Sequence, residues 1–240
     1  MSTWQGAKKF YRDARAGEEE GGFVILLDDR PIRTPAGKSM AVGSEELARA
    51  IAEEWADQDE TLDVETMPLT RLTATAIDRV EAKREEMHEV MRAFAGTDLL
   101  CYRAEEPPEL VQRQTDRWQP LVDWAATILD APLTVTTGVI PVNQPDAAIR
   151  ALSAVVEGYD HFQLVAVSSA TAAAGSVVIG VALEAGRITA EEAGDLALLD
   201  EEFQMELWGQ DAEALARHRR IRADIEAAAR FLALLGGSRA

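Results

Sequence analysis

At Ser44 the hydrophobic period of this chain changes, and that switch constrains the fold more than any other feature of the sequence. Before it, Phe23-Val-Ile-Leu-Leu27 is a strongly apolar, partly β-branched run stopped by Asp28-Asp29-Arg30-Pro31. Ile32-Arg-Thr-Pro35, the turn residues Pro35-Ala-Gly37 and Met40-Ala-Val42 follow at short intervals. Such a pattern reads as strands joined by tight turns, with Lys9-Phe-Tyr11 a candidate for one strand more. After the switch, Ser44 offers an N-cap, and Glu45 and Glu46 place negative charge at the positive end of a helix dipole. Leu47, Ile51 and Trp55 then recur four residues apart, the spacing of one helix face. The expected class is α+β, with a small β-rich domain over residues 1–43 and a larger, mainly helical domain over 44–240.

Within the second part, Pro68 precedes a helix expected over Thr70 to Phe94, with Leu72, Ala76 and Val80 on one face and a charged centre at Glu81 to Glu89. Pro107-Pro108 opens another helix with proline in its permitted first turn. Pro120 is expected to kink or divide that helix between Trp118 and Trp124, because it lacks the N–H of the helical ladder. Asp98-Leu-Leu-Cys-Tyr102 is a short apolar segment, while Leu133 to Thr137 and Val139 to Val142 look extended but are too short to define a sheet. Asp160 to Gln163 and Thr189 to Glu192 match the capping-box pattern, each heading a long helix. In the first of these, Ser168, Ala172, Ser176 and Gly180 recur every four residues and would flatten one face for close approach of another helix.

One stretch invites a membrane reading, since Leu164 to Leu183 is 20 uncharged residues, long enough to cross a bilayer. Serines, a threonine and a run of alanines dilute it, and its flanks are Asp160 and Glu184 rather than Lys or Arg anchors. A buried helix of a soluble domain is the expectation. With 42 acidic against 24 basic residues the formal net charge is -18. That field opposes phosphate backbones and anionic membranes, so neither nucleic-acid binding nor membrane insertion is expected. The single cysteine, Cys101, excludes an internal disulfide and fits a reducing compartment. The first ten residues have neither the apolar core of a secretory signal nor an Arg-rich transit character, which points to a cytoplasmic or already processed protein.

Residues that could carry chemistry are few. His88, His161 and His218 lie in separate expected helices without a metal-binding spacing and read as surface or capping groups, so no metal site is expected. Cys101 sits between Leu100 and Tyr102, where burial raises a thiol pKa and leaves it inert. No dinucleotide fingerprint, phosphate loop, serine elbow or calcium loop is present, and no cofactor or catalytic residue is assigned. A small-molecule enzyme using carboxylates of the helical domain is the alternative class.

The most informative segment runs from Asp195 to Gly209. At helical spacing Leu196, Leu199, Phe203 and Leu207 form an expected buried stripe, with Asp195, Glu202 and Glu206 as an adjacent carboxylate stripe. Between Glu191 and Glu213 there is neither Lys nor Arg. Such a ridge suits a basic or donor-rich protein surface. Equally, it is a solvated face, or it pairs with Arg217, Arg219, Arg220 and Arg222 across a helical hairpin.

Several strings, in order, resemble the ATP-twelve family of ATP synthase assembly chaperones: Lys9-Phe-Tyr11, Gly22 to Pro31, Thr34-Pro-Ala-Gly37, Leu47 to Trp55, Met67 to Leu72, Ala76-Ile-Asp78 and Thr97 to Tyr102. Trp118-x-Pro120, Gly175-Ser176, Glu201-Glu-Phe-Gln204 and Trp208-Gly209 continue the match, which spans nearly the whole chain. The resemblance implies a β domain followed by a helical one, and a non-enzymatic protein that binds the unassembled alpha subunit of the F-type ATP synthase until the beta subunit replaces it. It implies no nucleotide or metal. It points for partner binding to the helix ending in Trp-Gly, hence to Glu202 first, then Glu201 and Asp200, with Glu206 and Trp208 beside them. The expected protein is monomeric when free, and works in the bacterial cytoplasm or, as a processed form, in the mitochondrial matrix. The family commonly has Asp-Gly where this chain has Asp28-Asp29, which leaves the turn type open.

Overall fold

The computed structural model describes residues 4–138 and 141–236. Strands β1 (Ala14–Glu19) and β2 (Gly22–Leu27) form an antiparallel hairpin, and β2 also pairs with β3 (Arg30–Pro31) and β4 (Ala41–Val42). The β2–β3 loop is the two residues Asp28 and Asp29, with φ of 46° and 67°. Positive φ at both central positions is what a type I′ hairpin turn demands. The open question of the turn is thereby answered: two aspartates take the left-handed conformation that glycine usually supplies. Lys9-Phe-Tyr11 forms no strand; its neighbour Lys8 makes only an isolated bridge to Thr61.

Helix α1 (Glu45–Ala56) is capped by Ser44, whose hydroxyl accepts from the Leu47 N–H. It packs on β1 and β2, burying Leu47, Ile51 and Trp55 completely alongside Ile25 and Met40. Helix α2 (Pro68–Thr75) follows, and its N-cap Met67 has no capping side chain. Glu54 of α1 does that work: its carboxylate accepts from the N–H of Leu69 (2.7 Å) and Thr70 (2.8 Å) and from the Thr70 hydroxyl (2.7 Å). The expected single helix from Thr70 to Phe94 is interrupted. A π-helical turn occupies Ala76–Val80, and α3 (Glu81–Gly96) contains a non-helical Lys83 (φ -125°, ψ 23°). The widened turn turns Asp78 to useful account, because its carboxylate accepts from the Thr34 hydroxyl and the Ala36 N–H of the sheet loop.

The chain divides into two compact units, one containing residues up to Arg84 with His161–Ala166 and the chain from Arg230, the other containing Glu85–Asp160 and Val167–Ala229. In the second unit a 3-10 turn at Leu99–Cys101 leads into β5 (Tyr102–Arg103), which pairs in parallel with β6 (Thr136–Thr137). Of the two extended segments expected here, only that pair is strand, and residues 139–140 lie outside the described chain. Helix α4 (Pro108–Ile128) runs unbroken through Pro120, contrary to the expected division. Trp118, Leu121, Val122 and Ala125 are buried on both sides of the proline, so packing offsets the one missing hydrogen bond.

Helix α5 (Asp146–Glu157) precedes α6 (His161–Ala174) and α7 (Val177–Glu184). The uncharged stretch is therefore two helices and not one. Gly175 turns the chain at φ +70°, and Ser176 starts α7 as its N-cap, its hydroxyl accepting from the Ile179 N–H. Gly180 then approaches α6 so closely that a Cβ there would lie 2.3 Å from the Thr171 hydroxyl oxygen. The small-residue spacing thus serves the return of this segment onto itself. Among the described residues no helix is long and apolar enough to cross a membrane. Val177 to Leu183 is buried on every side and packs with α4 and with α8 (Ala190–Trp208), which opens on the expected Thr189–Glu192 capping box. Helix α9 (Ala212–Leu234) completes the described elements.

Candidate functional site

Helix α8 carries every residue that the sequence assigns to partner binding. Its apolar face buries Leu196, Leu199 and Phe203, and the Trp118 indole donates to the Leu196 carbonyl at 3.0 Å. Leu207 departs from the expected stripe, being 57% exposed, and Trp208 beside it is 79% exposed. The helix stops at Gly209 (φ 89°), so this exposed apolar pair stands in its last turn.

The carboxylates beside that end are not an unneutralised ridge. Glu206 takes a two-pronged pair from Arg113 of α4 (2.8 Å each), and Arg113 also lies over the Phe203 ring. Arg222 of α9 bridges Glu202 (2.6 Å) and Asp195 (2.9 Å), and Arg117 of α4 reaches Asp195 at 3.4 Å. Glu201 accepts from Arg217 and lies 3.0 Å from the His218 Nε2. Asp200 accepts from the Gln114 amide at 2.7 Å. The alternatives left open by the sequence are thus resolved toward pairing, through Arg217 and Arg222 of the four arginines named and through two cations of α4 that sequence reasoning missed. The signal for those was present: Arg113 and Arg117 stand one helical turn apart on a helix whose buried stripe is otherwise clear.

Electrostatics follow the geometry. Burial works to raise the Glu201 carboxyl, but hydrogen bonds from Arg217 and His218 outweigh it and hold it below the ordinary value. Arg113 holds Glu206 down in the same sense. Burial raises Asp200, against the opposing Gln114 bond. An ionised Glu201 can only accept, so the Nε2 of His218 carries the proton it donates. His218 is buried, which corrects the surface reading of that histidine: it belongs to the polar support beneath α8. Buried Arg103 donates to the carbonyls of Leu100 (3.0 Å) and Gln114 (2.7 Å) and lies over Trp118.

A fixed array of paired acids ending in an exposed tryptophan can recognise a protein surface. It holds few groups free for proton transfer. Among the described residues no cluster of three His, Cys, Asp or Glu could hold a metal ion. Cys101 is buried, and burial pushes its thiol up to about 12.

The family model of the ATP12 chaperone protein matches residues 8–126. The chain is 26% identical over 219 residues to protein atp12, mitochondrial, of Schizosaccharomyces pombe, covering 86% of this chain and 75% of that protein. Against the crystal structure of Atp12 from Paracoccus denitrificans it has 42% identity and a TM-score of 0.90, covering 95% of this chain and 98% of the other. An aspartate-to-lysine mutant of the Paracoccus protein matches with a TM-score of 0.90 as well. At that identity and coverage, the resemblance first carried by short strings becomes a statement about the whole chain: it belongs to the ATP12 chaperone family.

Proposed function

We propose that this chain is an assembly chaperone of the F-type ATP synthase, which binds the unassembled alpha subunit, keeps it from aggregating and yields it to the beta subunit. The observation that carries this reading is the nearly full-length match to Atp12 of Paracoccus denitrificans. We place the client on the C-terminal half of α8, with Glu202 as the principal acid, Glu201, Asp200 and Glu206 around it and Trp208 as the apolar anchor. An exposed tryptophan rimmed by charge is the composition of an interface hot spot. Each acid is already held by a cation or an amide of its own unit, so binding would cost little side-chain entropy. The same pairing argues against the enzymatic alternative, since an arginine-held carboxylate is a poor proton donor. The chaperone would act as a monomer in the bacterial cytoplasm, or in the mitochondrial matrix as a processed form.

Co-expression with a tagged alpha subunit in the absence of beta tests the reading. The chain is expected to co-purify with alpha, to keep it in the supernatant and to leave the complex when beta is added. Trp208→Ala, at a position where folding makes no use of the side chain, is expected to weaken the complex by roughly 1–3 kcal/mol while leaving the melting temperature unchanged. An alpha subunit that neither binds the chain nor gains solubility from it would remove the proposal.

A further inference from the structure

A second site lies in the unit built around the sheet and shares no residue with α8. The segment from Trp4 to Tyr11 is strapped onto the loop after α1 by backbone bonds: Gly6 N–H to the Leu62 carbonyl (2.9 Å), Lys9 N–H to Glu60 (2.8 Å) and Leu62 N–H to Ala7 (2.8 Å). Between this strap and the β2–β3 hairpin lies a cavity of about 520 Å³, within the range of ligand-binding pockets. Its floor is Tyr11, Leu27, Ile32 and Trp55, all buried, with the Tyr11 hydroxyl fixed on the Trp55 carbonyl at 2.6 Å. Aromatic rings line its wall. Trp4 meets Trp55 edge-to-face at 5.3 Å, Tyr11 lies 5.7 Å from Trp55, and Phe10, at 5.3 Å from Tyr11, is 66% exposed. The Trp55 indole nitrogen is buried without a hydrogen-bond partner among the described residues.

The lining of the cavity carries two cations, Arg30 and Arg33, against one carboxylate, Asp28, whereas the whole chain has 24 Lys and Arg against 42 Asp and Glu. Antiparallel pairing of β1 with β2 sends Glu18, Glu19 and Glu20 to the end of the hairpin away from Asp28. Asp28, the one carboxylate lining the cavity, is committed to the backbone N–H groups of Arg12 (3.0 Å) and Asp13 (3.0 Å), which hold it below the ordinary carboxylate range. The rim guanidiniums of Arg30 and Arg33 close no salt bridge among the described residues, although the charge of Arg30 also favours the ionised Asp28; Arg33 donates one N–H to the Gly37 carbonyl. An exposed phenylalanine and two arginines outside any salt bridge among the described residues, around a preformed aromatic pocket, call for an apolar anchor with carboxylates beside it.

We propose that this cavity is a docking site for an extended acidic peptide segment of a partner protein, which seats one bulky apolar side chain against Trp4 and the exposed Phe10 and sets carboxylates against Arg30 and Arg33. The probe is a fluorophore-labelled, end-blocked peptide, Asp-Glu-Leu-Phe-Pro-Asp-Glu, followed by anisotropy as full-length chain is added. Saturable binding is expected, lost on replacing the peptide's acids by lysine. Phe10→Ser and Arg30→Glu each alter an exposed side chain, and each is expected to weaken binding by about tenfold or more with an unchanged far-ultraviolet spectrum. Arg30→Glu should narrow the preference for the acidic peptide over its lysine counterpart. Absence of saturable binding overturns the proposal, as does equal binding by the unaltered chain and Phe10→Ser. Displacement of the peptide by free indole-3-acetate at matching concentration also overturns it, because the pocket would then take a small carboxylate and not a chain.

Discussion

Asp98 shows how far a residue's chemistry depends on partners remote in sequence. It is completely buried, yet its carboxylate accepts from the Leu100 N–H (3.0 Å), the Ser176 hydroxyl (2.7 Å) and the Val178 N–H (3.1 Å), which ties the start of α7 to the turn before β5. Burial outweighs those bonds and raises the group from its ordinary 3.8 to about 6. The folded state therefore holds the proton more tightly than the unfolded chain. This contribution to stability is full below the ordinary value and is lost as pH rises through about 6, a swing on the order of 3 kcal/mol. Asp98→Asn turns an amide NH₂ toward backbone donors and should cost about 1–3 kcal/mol under mild acid. The gap between the two proteins, read from urea midpoints, is expected to shrink as pH rises from about 4 to about 8. A gap that stays constant would mean that Asp98 titrates as an ordinary carboxyl. In the sequence this residue was only the start of a short apolar segment, because nothing local announces that Ser176 will be its neighbour. The inert Cys101 three residues on was legible, since its flanking residues are apolar. The Asp28-Asp29 turn was legible as a turn but not as a left-handed pair. Asp29→Gly should relieve that conformation and raise unfolding stability by about 0.5–1 kcal/mol, visible in the thermal midpoint; a lower midpoint would show that the contact of Asp29 with Arg15 outweighs the strain.

At the scale of elements, what was local in sequence was legible and what was tertiary was not. Ser44 and the Thr189–Glu192 box announce α1 and α8 through side chains that bond within a turn of themselves. Gly175-Ser176 carries two meanings, close packing inside a helix or a stop followed by a cap, and only Asp98 decides between them. The acids of α8 were legible as a stripe, but their partners on α4 stand some 80 to 90 positions away, beyond any periodicity. Arg222 is the junction of that array. It bridges Glu202 and Asp195 and packs so closely on Gly194 that a Cβ there would meet its Nη1 at 2.7 Å. Glu202→Gln keeps an oxygen to accept from Arg222 and leaves Asp195 in place, so its stability cost should stay below about 1 kcal/mol, as for other partly exposed pairs. Arg222→Ala strips both acids of a cation and empties the space over Gly194, and it should cost more than Glu202→Gln. Thermal melts of the two variants check the order. If Glu202→Gln proves the more damaging, the array rests on Glu202 and not on the arginine.

At the scale of the whole molecule, the charge read from composition survives the pairing seen at α8, since each internal ion pair leaves the net -18 unchanged. Short-range and long-range electrostatics therefore separate. On the function proposed above, the paired acids would fix the register of a bound client, while the uncompensated charge would act during approach, over distances that salt screens within about 10 Å. If the client surface is basic, raising ionic strength from low to physiological should slow association by about tenfold and change dissociation little, because the seated contacts are already screened by protein. Stopped-flow mixing of the chain with isolated, unassembled alpha subunit across a salt series separates the two rates. A flat association rate would show that capture depends on the exposed Leu207–Trp208 end alone, and that the acidity serves the free chain rather than the encounter.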